Sequence, residues 1–310
     1  MPEPGALLHA HALTLIARAE SCLSWRGARA HAGVHQGRKS MRRLRACLAL
    51  AFGGNNVASR AIDQAIAGTC RSLSALRDAQ ARTHAVDRLL SSSTDRVAIS
   101  DLRRLRRLEV AQRVSAMKQA QHADPEFGKR RYELLQLRRE LDGLPWNRVD
   151  DYSMQRSIAR TLRRCEQAQR RALDDGNARD WHRWRRRVRR LGQQHGVLVA
   201  CGIVPADFLP PQRKLAHLLG ESQDCAVLIE QFSNDMDLPK QFRQRLVDSV
   251  RTARDAINGE IRSHLVASPA SLTESYLHHQ ASVAAAVELL SQIQTTDVSS
   301  SPPIPEEPVP

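Results

Sequence analysis

Apolar residues recur three and four positions apart along almost the whole chain, and the strict alternation of a half-buried strand is nearly absent. Breaks fall near Arg26–Gly33, Gly53–Asn56, Ser91–Asp95, His122–Gly128, Leu141–Asp151, Asp174–Asn177, Gly202–Pro211 and Asn234–Pro239. The segments between them have helical length. This pattern predicts an all-α protein. Residues 271–293, which include the run VAAAVELL, read as a C-terminal helix. Residues 294–310 are Pro- and Ser-rich and acidic, as expected of a disordered tail.

Two helices carry an unusual polar face. In VHQGRKSMRRLRA, residues 34–46, a helical wheel puts His35, Arg38, Lys39, Arg42, Arg43 and Arg45 on one side and Met41, Leu44 and Leu48 on the other. In WHRWRRRVRRLGQQ, His182, Arg185, Arg186, Arg189 and Arg190 lie opposite Trp184, Val188 and Leu191. Each helix is thus expected to bury an apolar stripe in its own bundle and to turn a cationic stripe outward. Like charges stacked along successive turns cost some tenths of a kcal/mol per close pair. A bound anion removes that cost, and neither quoted stretch contains an acid to do so.

The two stripes are in register. Adding 147 to His35, Arg38, Lys39, Arg42, Arg43 and Leu44 gives His182, Arg185, Arg186, Arg189, Arg190 and Leu191. A second pair of landmarks follows in the same order: LSALRDAQA with Asp78 and LLGESQDCAV with Asp224, at an offset of 146. Two landmarks in register predict two related helical halves, about 6–125 and 150–267, within one domain spanning 6–270.

Charge sharpens the functional question. Among 310 residues, 47 Lys and Arg stand against 33 Asp and Glu, a formal net charge of +14, so the protein's field favours polyanions. Only five of the 47 cations are lysine, a preference that codon bias alone could produce. The excess of cations over acids is untouched by that bias. The six cysteines are dispersed without a metal or redox spacing, as expected of buried thiols in a reducing compartment. The N-terminal MPEPGALLHAHALTL has no basic n-region, and no apolar run approaches a membrane span. Together these predict a cytoplasmic protein that does not enter a membrane.

At the two basic helices the chain resembles the CHAD domains, named for conserved histidines in an α-helical domain. Their halves carry a helix of the form His-x-x-Arg-[Lys/Val]-x-x-[Arg/Lys]-[Arg/Lys]-Leu-Arg and a later Leu-Gly-x-x-Arg/His-Asp before an aliphatic stretch. The resemblance implies two four-helix bundles related by a pseudo-twofold axis, with the basic helices facing a central groove that binds inorganic polyphosphate. Carried over by position, His35, Arg38, Lys39, Arg42, Arg43 and Arg45 of the first copy, and His182, Arg185, Arg186, Arg189 and Arg190 of the second, would line that groove. Arg163 and Arg164 match a further basic position of the family. Phosphate or sulfate ions would fit the same groove, and association with polyphosphate granules follows. The sequence departs from the family's pattern at Gln193, where tyrosine is common, and at Gln223, where histidine is frequent. Gly37 costs the first basic helix roughly 0.5–1 kcal/mol relative to alanine.

Read from the residues themselves, guanidinium forks suit a flexible phosphate thread because they bridge neighbouring oxygens with paired, charge-assisted hydrogen bonds. Neighbouring arginines should lower the pKa of His35 and His182, and a polyanion should raise it. These histidines either touch ligand or hydrogen-bond between bundles. Asp78 and Asp224 read as carboxylates that orient an arginine or cap a turn rather than as general bases. No metal, cofactor or catalytic residue is expected. A nucleic-acid-binding protein is the second reading, disfavoured by 12 aromatics in all and by the lack of an RNA-binding signature. A polyphosphate-metabolising enzyme is the third.

Overall fold

The structure, a computed structural model, describes residues 3–92, 96–174, 176–204, 213–234 and 239–267. The helix expected at 271–293 and the tail at 294–310 lie outside the described residues. Ten α-helices run along them: α1 (Pro4–Leu23), α2 (Ala30–Phe52), α3 (Val57–Ser72), α4 (Ser74–Ser92), α5 (Arg96–Ala123), α6 (Gly128–Asp142), α7 (Asp151–Asp174), α8 (Ala178–Ala200), α9 (Arg213–Asn234) and α10 (Lys240–Ala267). No strand occurs among the described residues, and the fold is all-α as the periodicity predicts. No helix among them is long and apolar enough to cross a membrane.

The helix ends follow local chemistry. Asn56 caps α3 by accepting from the Ser59 amide at 2.7 Å, and Asn177 caps α8 by accepting from the Asp180 amide at 2.9 Å. Gly53 ends α2 in the left-handed conformation, with φ 57°, which an L side chain rarely adopts. One break lies outside those that the sequence punctuates. Residues 57–92 are two helices divided at Leu73, a fully buried residue, where the Ser72 and Ser74 hydroxyls donate to the carbonyls of Thr69 and Arg71.

Helices α1 and α2 approach closely because glycine faces glycine-sized space. A β-carbon on Gly33 would stand 2.3 Å from the Cys22 carbonyl oxygen, and one on Gly37 would stand 3.3 Å from that of Ala19. The helix penalty of Gly37 is therefore offset by packing. The apolar stripes of both basic helices are buried as predicted: Met41, Leu44 and Leu48 on α2, and Trp184, Val188 and Leu191 on α8.

The bundles do not coincide with the halves. Hairpin α1–α2 packs on hairpin α7–α8, and hairpin α4–α5 packs on α9–α10. The second of these cores holds Val86, Leu89, Leu102, Leu105, Leu228, Phe232, Leu246 and Val250. Each bundle thus takes one hairpin from each half. Helix α3 packs on α2 and α6, and α6 also packs on α1, so these two helices flank the first bundle. Where the bundles meet, α2 touches α4 and α8, while α9 touches α4 and α8. Those four helices carry both pairs of sequence landmarks.

Candidate functional site

The meeting of α2, α4, α8 and α9 gathers cations from separate parts of the chain. A cavity of about 370 Å³ opens there, lined by Arg77 and Arg88 of α4, Arg185 and Arg189 of α8, and His217, Glu221 and Asp224 of α9. Asp224 is the electrostatic hub: Arg88 donates to it at 3.1 Å, with Arg77 at 3.8 Å and Arg185 at 3.9 Å. Glu221 adds contacts to Arg88 at 3.3 Å and His217 at 3.4 Å. Asp78 pairs with Arg77 at 2.9 Å. Both aspartates therefore do what their place in the sequence suggests and hold neighbouring arginines in position.

From α2, Arg42 completes the gathering. Its Nε donates to the Arg38 carbonyl at 3.2 Å, which fixes the stem of the side chain. Burial, and then the charges of Arg189 and Arg38, push the Arg42 pKa down to about 9. Burial followed by Arg185, Arg77 and Arg38 takes Arg189 down to about 10. Both remain protonated at neutral pH, and their depressed values measure how unfavourably cations are crowded here. His35, exposed at the rim, has its pKa lowered by partial burial and then by Arg42, Lys39, Arg189 and Arg77. Lys39 is lowered by partial burial and then by Arg43, Arg18, Arg189 and Arg42.

The other residues singled out from the sequence divide among several environments. Arg38 does not face solvent: it is 9 % exposed and its guanidinium donates to the Cys70 carbonyl of α3. Arg45 is engaged by Asp63 of α3 through two hydrogen bonds, 2.8 and 2.9 Å long, which raise its pKa. That carboxylate comes from another helix and so does not show within the basic stretch itself. Helix α8 also begins earlier than the basic stretch and carries Asp180, which pairs with Arg183 at 3.2 Å. His182 shares a hydrogen bond of 3.0 Å with Gln223 of α9. The residue that departs from the family's usual histidine is thus the partner that ties this imidazole across to the other bundle. Arg43 lies near α1, where burial and then the charge of Arg43 lower the pKa of His11. Arg186 is exposed on α8. Arg163 is exposed on α7 and lines neither this cavity nor the pocket that takes Arg164 and Arg190.

Arg77, Arg88, His217 and Glu221 were not picked out from the sequence. Arg77 stands beside Asp78 inside a quoted landmark and was legible there. Arg88 lies three turns further along α4, outside the quoted landmarks, and only the pairing of α4 with α9 brings it to Asp224.

The fold and the site together define an all-α domain in which arginines from paired hairpins are crowded at one junction. The CHAD domain family model matches residues 7–201, more than half of the chain, and the chain belongs to that family. It is similar to the crystal structure of the CHAD domain from the plant Ricinus communis, at 20 % identity and a TM-score of 0.51. The match covers 90 % of this chain and 92 % of that one, a likeness of fold. No curated protein sequence matches.

Proposed function

We propose that this protein binds inorganic polyphosphate, without chemical conversion, in the cation-lined groove where α2, α4, α8 and α9 meet. One observation carries the reading: Arg42 and Arg189, from helices about 147 residues apart in sequence, are both buried among arginines that hold their pKa values down, and Arg189 is the strongest charge acting on Arg42. Such crowding is costly without an anion and is relieved by a closely charged thread. His35, Lys39, Arg77, Arg88 and Arg185 extend the contact, with Arg43 and Arg186 at its edges. Arg38 supports Arg42 from beneath. The duplicated landmarks make the two sides of the groove copies of one ancestral unit, and the expected location is the cytoplasm, on polyphosphate granules.

Nucleic acid offers the same backbone charge, but among the described residues no Phe, Tyr or Trp lines the cavity to stack on bases. Competition between long-chain polyphosphate and single-stranded RNA at fixed salt tests the proposal. Polyphosphate should displace a fluorescent RNA at a lower concentration of phosphate units than unlabelled RNA does. Equal competition per phosphate, or preference for RNA, would overturn it. Release of orthophosphate from the polymer by pure protein would overturn the non-catalytic part.

A further inference from the structure

On the far side of α2 and α8 a smaller pocket, about 80 Å³ in volume, lies between the C-terminal end of α2 and helices α7 and α8. Four guanidinium groups line it: Arg160 and Arg164 from α7, Arg187 and Arg190 from α8. The Ser157 and Thr161 side chains line it too, and among the described residues no carboxylate does. Thr161 donates to the Ser157 carbonyl at 3.1 Å, leaving its oxygen lone pairs to receive. Arg160 donates to the carbonyl of Gly53, the left-handed residue that ends α2. A β-carbon on Gly53 would stand 3.0 Å from the Ser157 hydroxyl and 3.2 Å from an Arg160 nitrogen, so the absent side chain keeps this corner open.

The pocket differs from the groove in shape and in charge. Three carboxylates, Asp78, Glu221 and Asp224, offset the arginines of the groove. Here the carboxylate whose charge acts on Arg190 is Asp63, which is itself engaged by Arg45. Burial and then Arg45, with Arg187 and Arg186 adding to it against Asp63, bring the Arg190 pKa down to about 10. Arg187 is lowered by burial and then by Arg164, Arg186 and Arg183. Crowded guanidinium groups around a small cavity are complementary to a compact tetrahedral oxyanion, which accepts hydrogen bonds in several directions at once. A volume of about 80 Å³ is matched to one tetrahedral group.

From this geometry we infer a second anion site, formed by Arg160, Arg164, Arg187 and Arg190 with Ser157 and Thr161, that holds one phosphoryl group: free orthophosphate or the terminal phosphate of a chain. The site stands independently of whether the groove takes polyphosphate.

Isothermal titration of the full chain with orthophosphate and with pyrophosphate, at constant ionic strength, tests it. Orthophosphate binding identifies the free ion as ligand, and binding of pyrophosphate alone identifies a chain end; either supports the site. The double variant Arg164→Ala/Arg187→Ala, chosen because neither side chain belongs to an apolar core, should weaken that binding at least tenfold. Arg42→Ala/Arg189→Ala should leave it within twofold. Thr161→Glu provides a second route, since a carboxylate built into the pocket should abolish orthophosphate binding while circular dichroism shows the helices intact. Failure of both anions to bind, or equal losses in the two double variants, would overturn the inference. Loss of polyphosphate binding alone would overturn only the proposal for the groove.

Discussion

Replacing Arg42 and Arg189 by alanine separates the groove from the protein's net charge. The two side chains come from opposite walls and are the groove cations most depressed in pKa, down to about 9 and about 10. At neutral pH both are protonated and the folded protein bears the full cost of holding them together. Each folded-state value lies below that of an unfolded arginine, so the penalty is present at pH 7 and fades only as pH rises past about 9. Removing both charges should therefore leave stability unchanged or raise it, by up to about 1 kcal/mol once solvent screening is allowed for. Alanine also costs the helices nothing in propensity. Binding should respond in the opposite sense. A charge-assisted hydrogen bond contributes roughly 1.5–3 kcal/mol, so two losses correspond to at least about 3 kcal/mol, roughly a hundredfold in polyphosphate affinity. With about 0.7 in log–log salt slope per neutralised phosphate, two lost contacts should flatten the salt dependence by about 1.4. Fluorescence anisotropy with end-labelled polyphosphate from 50 to 300 mM salt, beside a thermal melt, measures both effects. Arg60→Ala/Arg138→Ala removes the same charge from exposed positions outside the groove and should change affinity severalfold at most. If the two double variants lose affinity and slope alike, binding is a matter of net charge, and the groove has no special part in it.

Polyphosphate affinity should rise as pH falls from 7.5 to 5.5, because the anion raises the His35 pKa from a value now held below 6.5 and so binds together with a proton; His35→Gln should flatten that profile. In the ligand-free protein the same depression makes His35 protonation unfavourable to folding, so stability from this group is lost as pH falls through 6.5 and below. Arg38→Ala should lower stability by about 1–3 kcal/mol in a urea melt, since it strips the buried Cys70 carbonyl of a charged donor. Gly33→Ala should disrupt the α1–α2 contact and markedly lower the melting temperature, because the added carbon meets backbone at 2.3 Å. Gly192→Ala, with open space around the same added carbon, should stabilise α8 by about 0.5–1 kcal/mol.

Helix content was legible because burial on one face imprints the 3.6-residue period, and the glycine, proline and asparagine punctuation marked nearly every break. The break at Leu73 carries neither glycine nor proline. It is held by serine hydroxyls and by burial of the leucine itself, both of which look ordinary within a helical pattern. The matched offsets of 147 and 146 located the two basic helices and the two aspartates that organise their arginines. Which helices share a core was not legible. An apolar stripe says that something covers it but not whether the cover lies nearby or 150 residues away, and here each bundle draws a hairpin from each half. The same limit misjudged Arg38 and Arg45. A helical wheel puts both on the cationic side, yet α3 comes to rest against that side and supplies the Cys70 carbonyl and Asp63.

The preponderance of arginine gains a physical reason from the depth of the groove. Codon bias would explain 42 arginines against five lysines anywhere on the surface, where solvent keeps either cation charged. Arg42 is different, because burial and three neighbouring arginines hold its pKa down at about 9. A lysine begins about two pH units lower than arginine, and an equal displacement would leave it partly neutral at physiological pH. The lysine present in the basic stretch, Lys39, is exposed at the rim, where solvent moderates the same field. Depth and cation choice are thus coupled: only a guanidinium stays charged when several are crowded under partial cover. A groove built to hold a dense polyanion needs that persistence most where its walls approach each other closely, between Arg42 and Arg189.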